Sequence, residues 1–403
     1  MKRFRSRILP RLTQSPLTAR RYVSSILERR LRQLDPLFLR DACNCHECVM
    51  PDTKQKTFST AELPENTRIQ SLHAEEDGYN VTWNSGHVSK YSFSFINRYS
   101  SLRSIRESRL LDSNDGDWAT MPQESISLSF NDYMSNDETL LQALTSLNKY
   151  GLVFLTDGPA QEKLNGDIAV EAIARRVGYI KETFYGRSWD VRSVPDARNI
   201  AYTNVYLPLH MDLLYYESPP GLQYLHCIAN DATGGESLFA DSFAAAKHVR
   251  SVDPEGYKVL CNFPVTFHYV NDGHHYHCTR PFIVEDPYGV DKDGLPPIKH
   301  INYSPPFQGP FEYNINSSSD PLNIKKFHNA LRLFEEYIND PANQLERKMS
   351  AGETVIFFNR RSLHARRLFD LKTGSRWLKG TYSDIDTFYS KFRVLSTELK
   401  KQK

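Results

Sequence analysis

Apolar and polar positions alternate in two different rhythms along this chain, and the rhythm changes near residue 126. Residues 35 to 100 are dominated by short alternating runs. Among them "NVTWNSGHVSKYSF" predicts a hairpin turning at Asn84, Ser85 and Gly86. The polar stretch "RESRLLDSNDGDWATMPQES" then reads as a linker, taken over 101–125. From residue 126 helical periods appear. "NDETLLQALTSLNKYG" predicts a helix capped by Asn or Asp and closed by Gly151. "GLVFL" predicts a short buried strand. "NGDIAVEAIARRVGYI" predicts a helix with Ile168, Ala172, Ile173 and Val177 on one face. Strand-like runs dominate 199–305. "NIKKFHNALRLFEEYIND" predicts an amphipathic helix, apolar at Ile324, Phe327, Leu331, Phe334 and Ile338, and "ETVIFFN" and "RWLKGTYSD" predict late strands. The pattern implies an α+β protein whose main domain, 126–395, is a sandwich or barrel of strands with packed helices, behind a small β-rich domain at 35–100.

Composition changes this picture at one end only. With 40% hydrophobic and 24% charged residues the 403-residue chain is ordinary globular protein. A net charge of +2 gives no electrostatic case for a nucleic-acid partner, and no run of about 18 apolar residues predicts a transmembrane helix. The N-terminus differs. Lys2, Arg3, Arg5, Arg7, Arg11, Arg20 and Arg21 precede the first acid, Glu28. Arg-rich, Ser/Thr-containing and acid-free, residues 1–25 are expected to be a mitochondrial presequence, with a cytoplasmic location as the alternative.

Two clusters carry candidate chemistry. "LPLHMDLLYYE" places His210 and Asp212 in an apolar, aromatic run, where an unpaired carboxylate costs several kcal/mol. Either the two form a buried ion pair or both bind a metal. On a strand, positions i and i+2 share a face, so the pair would supply two-thirds of the two-His-one-carboxylate triad of non-haem Fe(II), with His364 of "LHARR" as the third ligand. Arg376, twelve residues on, could fork onto the far carboxylate of 2-oxoglutarate. In "CNCHEC", Cys43, Cys45 and Cys48 read as metal ligands before disulfides in a chain without a secretory signal. The histidines of "DGHHYHC" read as a solvated polar loop, and Arg366 and Arg367 as structural ion pairs or as helpers in orienting a cosubstrate.

Read together, "FLRDACNCHEC", "WNSGHVSKY", "FYGRSW", "NIAYT", "LHMDLLYYESPPGLQYLHCI", "TGGESLFADSF", "LHARR" and "RWLKGTYSD" resemble the γ-butyrobetaine and trimethyllysine hydroxylases, within the taurine-dioxygenase-like Fe(II)/2-oxoglutarate oxygenases. The resemblance spans roughly 35 to 395. It implies a distorted double-stranded β-helix (jelly-roll) core with His210, Asp212 and His364 on iron and Arg376, helped by Lys149 and Ser237, on 2-oxoglutarate. It implies a Cys43, Cys45, Cys48 and His87 site for structural zinc. O2 would be a cosubstrate, ascorbate a reductant, and a homodimer is compatible with it. Tyr185, Trp189, Tyr202 and Tyr382 match the family's aromatic cage for a quaternary ammonium. Asn199, neutral and able to donate to a carboxylate, tilts the expected substrate toward γ-butyrobetaine, the precursor of carnitine, rather than trimethyllysine. The segment 301–311, "INYSPPFQGPF", is unlike the one expected over the butyrobetaine carboxylate, which keeps a changed substrate open. A non-catalytic binding protein on the same fold is the remaining alternative. The chain is short before "LRDACNC", where the family has a further strand pair, so the small domain is expected to be trimmed there.

Overall fold

The computed structural model describes residues 16–109, 116, 118–192, 205–291, 294–313 and 322–402. The chain divides into two compact units, Met1–Leu111 and Asp112–Lys403.

In the first unit, helices Pro16–Gln33 and Pro36–Asp41 precede a three-stranded antiparallel sheet of β1 (Ile69–Ala74), β2 (Gly78–Trp83) and β3 (Val88–Ser92). The segment before the cysteines is helical. Asp35 starts the second helix by accepting from the backbone of Leu37 and Phe38. The predicted hairpin is β2–β3, with Gly86 at φ +86°, a conformation that glycine adopts without cost. Trp83, Val81, Tyr91 and Ile96 pack with Leu27, Leu31 and Leu39. Inside that core the Trp83 indole donates to Ser89 Oγ at 2.8 Å, and the Tyr91 hydroxyl donates to the Leu39 carbonyl. Tyr91 thereby fastens the cysteine-bearing segment to the hairpin.

In the second unit, nearly every strand pair is antiparallel. One sheet contains β4 (Ser127–Ser129), β5 (Leu152–Thr156), β6 (Ser188–Arg192), β8 (Leu222–Asn230), β13 (Thr354–Phe358) and β15 (Arg376–Ser383), in the order β4-β5-β13-β8-β15-β6. The other holds β7 (Leu207–His210), β9 (Ser237–Asp241), β12 (Gln344–Arg347) and β14 (Ser362–Arg366), in the order β12-β9-β14-β7. Phe154, Phe357 and Leu378 of the first sheet meet Phe239 of the second, with Phe239 ring centroids 5.8 Å from Phe154 and 5.6 Å from Phe357. The two sheets therefore form a sandwich. A separate hairpin, β10 (Pro264–Asn271) and β11 (His274–Pro281), lays aromatic residues beside the core.

The helix Asp137–Tyr150 has the expected ends. Asn136 Oδ1 accepts from Glu138 and Thr139, and Gly151 closes it at φ +77°. The helix Ile324–Asn339 buries Phe327, Phe334 and Ile338. Four expectations need correction. The linker stretch contains the helix Leu102–Ser108, and Trp118 is anchored by its indole on the Tyr150 carbonyl at 2.8 Å. The helix predicted over 165–180 is confined to Ala169–Arg175, because Gly166 at φ +92° belongs to a turn before it. The strand-dominated stretch 199–305 contains two helices, Ser242–Val252 and Pro254–Asn262, started by Asp241 and Asp253. The histidines of "DGHHYHC" lie on β11 rather than in a loop, and the His274 ring lies 4.9 Å from Phe184. Among the described residues, no helix is long and apolar enough to cross a membrane.

Candidate active site and a second metal-ligand cluster

Strand register brings the triad together. His364 on β14 pairs directly with His210 on β7, and Phe239 on β9 lies on the other side of His364. Directly opposed residues share a face, so both imidazoles point into the sandwich, with ring centroids 4.2 Å apart. β7 ends at His210. Asp212 stands just beyond it, where the backbone turns through Leu213 at φ +56°. The i, i+2 strand argument therefore gives the right neighbour for a different reason. The turn, not the pleat, aims the carboxylate. Asp212 Oδ1 lies 3.2 Å from His210 Nε2 and 3.8 Å from His364 Nε2.

The proton positions suit a metal. His210 Nδ1 is 2.8 Å from the Pro208 carbonyl and must donate to it, which leaves Nε2 as the ring nitrogen that faces Asp212. Burial pushes His364 down to about 3, with His210 adding to the shift and Asp212 opposing it, so the His364 ring is neutral at neutral pH. Burial opposes ionisation of Asp212, but the contact with His210 and the Tyr382 hydroxyl help hold its carboxyl below the usual range. Three acceptor atoms thus converge, all within 4.8 Å of one another. A single cation could be held by all three, and one carboxylate with two imidazoles is the donor set of non-haem Fe(II).

Several side chains around the triad were not singled out by sequence reasoning. Asn359, fully buried at the end of β13, accepts from the Asp212 backbone N–H and donates to the Asp212 carbonyl, both at 2.8 Å. Its signal was a lone amide closing the apolar run "ETVIFF". Arg361 forms a buried two-point ion pair with Asp241, at 3.0 and 2.8 Å, and also donates to the Lys149 and Gly116 carbonyls.

Arg376 begins β15 and is buried. Burial, with Arg366 nearby, pushes its guanidinium down to about 10, which leaves it charged at neutral pH. Its Nε donates to the Gly235 carbonyl at 3.2 Å, and among the described residues no ion pair joins it to a carboxylate. A Cβ on Gly235 would come within 2.9 Å of the Arg376 side chain, so the Gly234–Gly235 turn makes room for it. Ser237 is buried on β9 opposite Arg366 of β14, two residues from the Phe239–His364 pair and on the same face. Arg366 reaches the Val205 carbonyl at 3.0 Å, and Arg367 pairs with Glu346 at 2.7 Å. Lys149 is exposed, with its ammonium over the Tyr150 ring at 4.9 Å; no described contact joins it to the triad.

The aromatic residues divide. Trp189 on β6 lies opposite Gly380 on β15 and stacks on Tyr382 at 4.1 Å, with Tyr185 6.0 Å away. The Tyr382 hydroxyl donates to Asp212 Oδ2 at 2.7 Å, which ties this wall to the triad. Asn199 and Tyr202 lie outside the described residues.

In the first unit His87 Nε2 is 3.3 Å from Cys43 Sγ and 3.6 Å from both Cys45 and Cys48 Sγ. A tetrahedral ion bound at about 2.3 Å to sulfur and about 2.05 Å to nitrogen sets its ligands about 3.6 Å apart. The cluster has that spacing. His87 Nδ1 is 3.3 Å from a Glu47 carboxylate oxygen, the outer partner that a ligating imidazole commonly has. Burial pushes the Cys48 thiol up to about 11, so a cation is needed to hold it as thiolate at neutral pH.

The family model for taurine catabolism dioxygenases, TauD and TfdA, matches residues 116–382, and that for γ-butyrobetaine hydroxylase-like N-terminal domains matches residues 28–97. Dioxygenase str8 of Strobilurus tenacellus is 37% identical, over 89% of this chain and 84% of its own. The γ-butyrobetaine dioxygenase of Pseudomonas sp. (strain AK-1) is 34% identical over 91% of each chain, and the trimethyllysine dioxygenase of Meyerozyma guilliermondii 26% identical over 90% of each. The molecule is a 2-oxoglutarate-dependent dioxygenase. The chain belongs to the TauD and TfdA dioxygenase family and carries the N-terminal module of the γ-butyrobetaine hydroxylase-like branch.

Proposed function

We propose that this dioxygenase hydroxylates an unactivated C–H of a trimethylammonium carboxylic acid, γ-butyrobetaine to carnitine first and trimethyllysine second. One observation carries the reading: the aromatic wall of Tyr382, Trp189 stacked on it and Tyr185 beside Trp189 stands one hydrogen bond from Asp212. A quaternary ammonium donates no hydrogen bond, so ring faces are its natural receptor. The relatives named for γ-butyrobetaine and trimethyllysine support the same class.

In this reading His210, Asp212 and His364 hold Fe(II) within a distorted jelly-roll core. With 2-oxoglutarate and O2 bound, the iron supplies the oxidising power. The chain's own residues bind and orient. Arg376 offers its guanidinium fork to the distal carboxylate of 2-oxoglutarate, with Ser237 on the same inner face as the triad. Zinc on Cys43, Cys45, Cys48 and His87 would be structural, since four protein ligands leave no open position. A mitochondrial presequence over residues 1–25 belongs to the same proposal.

Succinate release tests it. γ-Butyrobetaine, trimethyllysine and the neutral tert-butyl analogue of γ-butyrobetaine are offered to wild type and to Trp189→Leu. Release coupled to a trimethylammonium acid, with a Michaelis constant that Trp189→Leu raises, is expected. Equal use of the charged and neutral forms would reduce the wall to apolar packing and remove both substrates together.

A further inference from the structure

Asp212 is restrained at both ends. Its backbone N–H and carbonyl are both engaged by the Asn359 carboxamide, at 2.8 Å each, and Asn359 in turn reaches the Pro220 carbonyl at 3.2 Å. The peptide on either side of Asp212 is thereby fixed, and what remains free is the side chain. There the two carboxylate oxygens are treated differently. Oδ1 faces His210 Nε2 at 3.2 Å and His364 Nε2 at 3.8 Å, while Oδ2 accepts from the Tyr382 hydroxyl at 2.7 Å. Tyr382 is itself fixed. It is fully buried on β15, opposite Gln223 of β8, and its ring is stacked on Trp189.

We propose that Tyr382 is a positioning residue for the metal centre, holding Asp212 so that only Oδ1 can reach the metal. This role is additional to any it has as a wall of the substrate pocket, and it rests on the reading of His210, Asp212 and His364 as metal ligands. Its importance follows from counting positions. A two-His-one-carboxylate triad leaves three of six positions open, and a chelating 2-oxo acid with O2 needs all three. A carboxylate that swung to bind through both oxygens would consume one of them. The Tyr382 hydroxyl occupies the second oxygen, and Asn359 prevents the backbone from rotating to free it. The same ring that would face the substrate cation therefore also keeps the metal's coordination open.

Tyr382→Phe separates the two roles, because it keeps the ring face and removes only the hydroxyl. Mn(II) affinity is measured without substrate or cosubstrate, by calorimetric titration, on wild type, Tyr382→Phe, Trp189→Leu and Asp212→Ala. The positioning role predicts that Tyr382→Phe, with Oδ2 freed to join Oδ1 on the ion, binds Mn(II) about 10-fold more tightly, the order expected for a hydrogen bond to a charged group, and that Trp189→Leu, which keeps the hydroxyl, departs less from wild type; weaker binding by Tyr382→Phe would overturn it. In the steady state, the rise in KM for 2-oxoglutarate should exceed any rise for the trimethylammonium acid. A thermal melt of each metal-free variant checks that the fold is retained. Unchanged Mn(II) affinity in a folded Tyr382→Phe overturns the proposal while leaving the metal site intact. Wild type that binds no Mn(II), or binds it no better than Asp212→Ala, overturns the metal reading beneath it.

Discussion

Gly380 sits on β15 directly opposite Trp189 on β6. A Cβ at that position would lie 2.6 Å from two indole carbons of Trp189 and 3.0 Å from its nitrogen. Ordinary carbon contacts are about 3.5 to 4.0 Å, so Gly380→Ala forces the indole away by about 1 Å. The backbone itself is unstrained there, since Gly380 is not among the positive-φ residues. The cost is confined to overpacking, about 1 to 3 kcal/mol. The displaced indole leaves its 4.1 Å stack on Tyr382. If that wall receives a cation, about 0.5 to 2 kcal/mol of attraction is at stake, and the Michaelis constant for the trimethylammonium substrate should rise roughly 2- to 30-fold. The neutral tert-butyl analogue should be much less affected, and kcat should change little because the Tyr382–Asp212 bond is untouched. Succinate release gives the kinetics, and tryptophan fluorescence reports whether the indole has moved. A shifted emission with an unchanged KM for the charged substrate would refute the cage. An unshifted emission would refute the packing argument.

Two further outcomes are expected. Purified protein should carry about one zinc per chain, and Cys45→Ser should lose it and lower the stability of the first unit, read by metal analysis and limited proteolysis; zinc-free wild type of normal stability would count against the site. Burial, with Arg360, Lys299 and Arg280 nearby, pushes His300 far below the ordinary imidazole range. A histidine held neutral in the fold contributes stability above its unfolded value of about 6.5 and loses it as pH falls below that, so His300→Gln should melt with a shallower acid dependence between about pH 6.5 and 4 than wild type. Parallel acid slopes would show that the burial of this ring is not limiting.

Legibility from sequence followed how local the cause was. Helix ends written by a single cap, Asn136 and Gly151, were readable, as was the β2–β3 hairpin with its glycine. The helices after Asp241 and Asp253 were missed, although each has an aspartate cap and the second opens with proline. Their short alanine- and valine-containing faces were absorbed into the strand-like runs around them. At the site, residue types gave the triad, but the reason for their convergence lay in register. His210 and His364 meet because β7 and β14 pair, and Asp212 joins them through a turn that no period describes. Asn359 was invisible for the same reason, since its partner is 147 residues away. Lys149 shows the converse: a lysine at a matching place in the motif order ends on the surface, over Tyr150.

The long-range hydrogen bonds of the second unit also bear on when the proposed metal site can form. Asn359 and Tyr382 reach back 147 and 170 residues to Asp212, and Arg361 reaches back 245 residues to Gly116. Contacts of such sequence separation form late, because the entropy of closing the intervening chain must be overcome first. A nascent chain on the ribosome holds His210 and Asp212 long before it has made His364 or Tyr382, so for much of synthesis only two of the three donors exist. If His210, Asp212 and His364 hold the metal, its acquisition is a task for the finished chain, and a protein truncated before Arg376 would keep most of its residues while lacking the last strand, which carries the Tyr382 bond to Asp212.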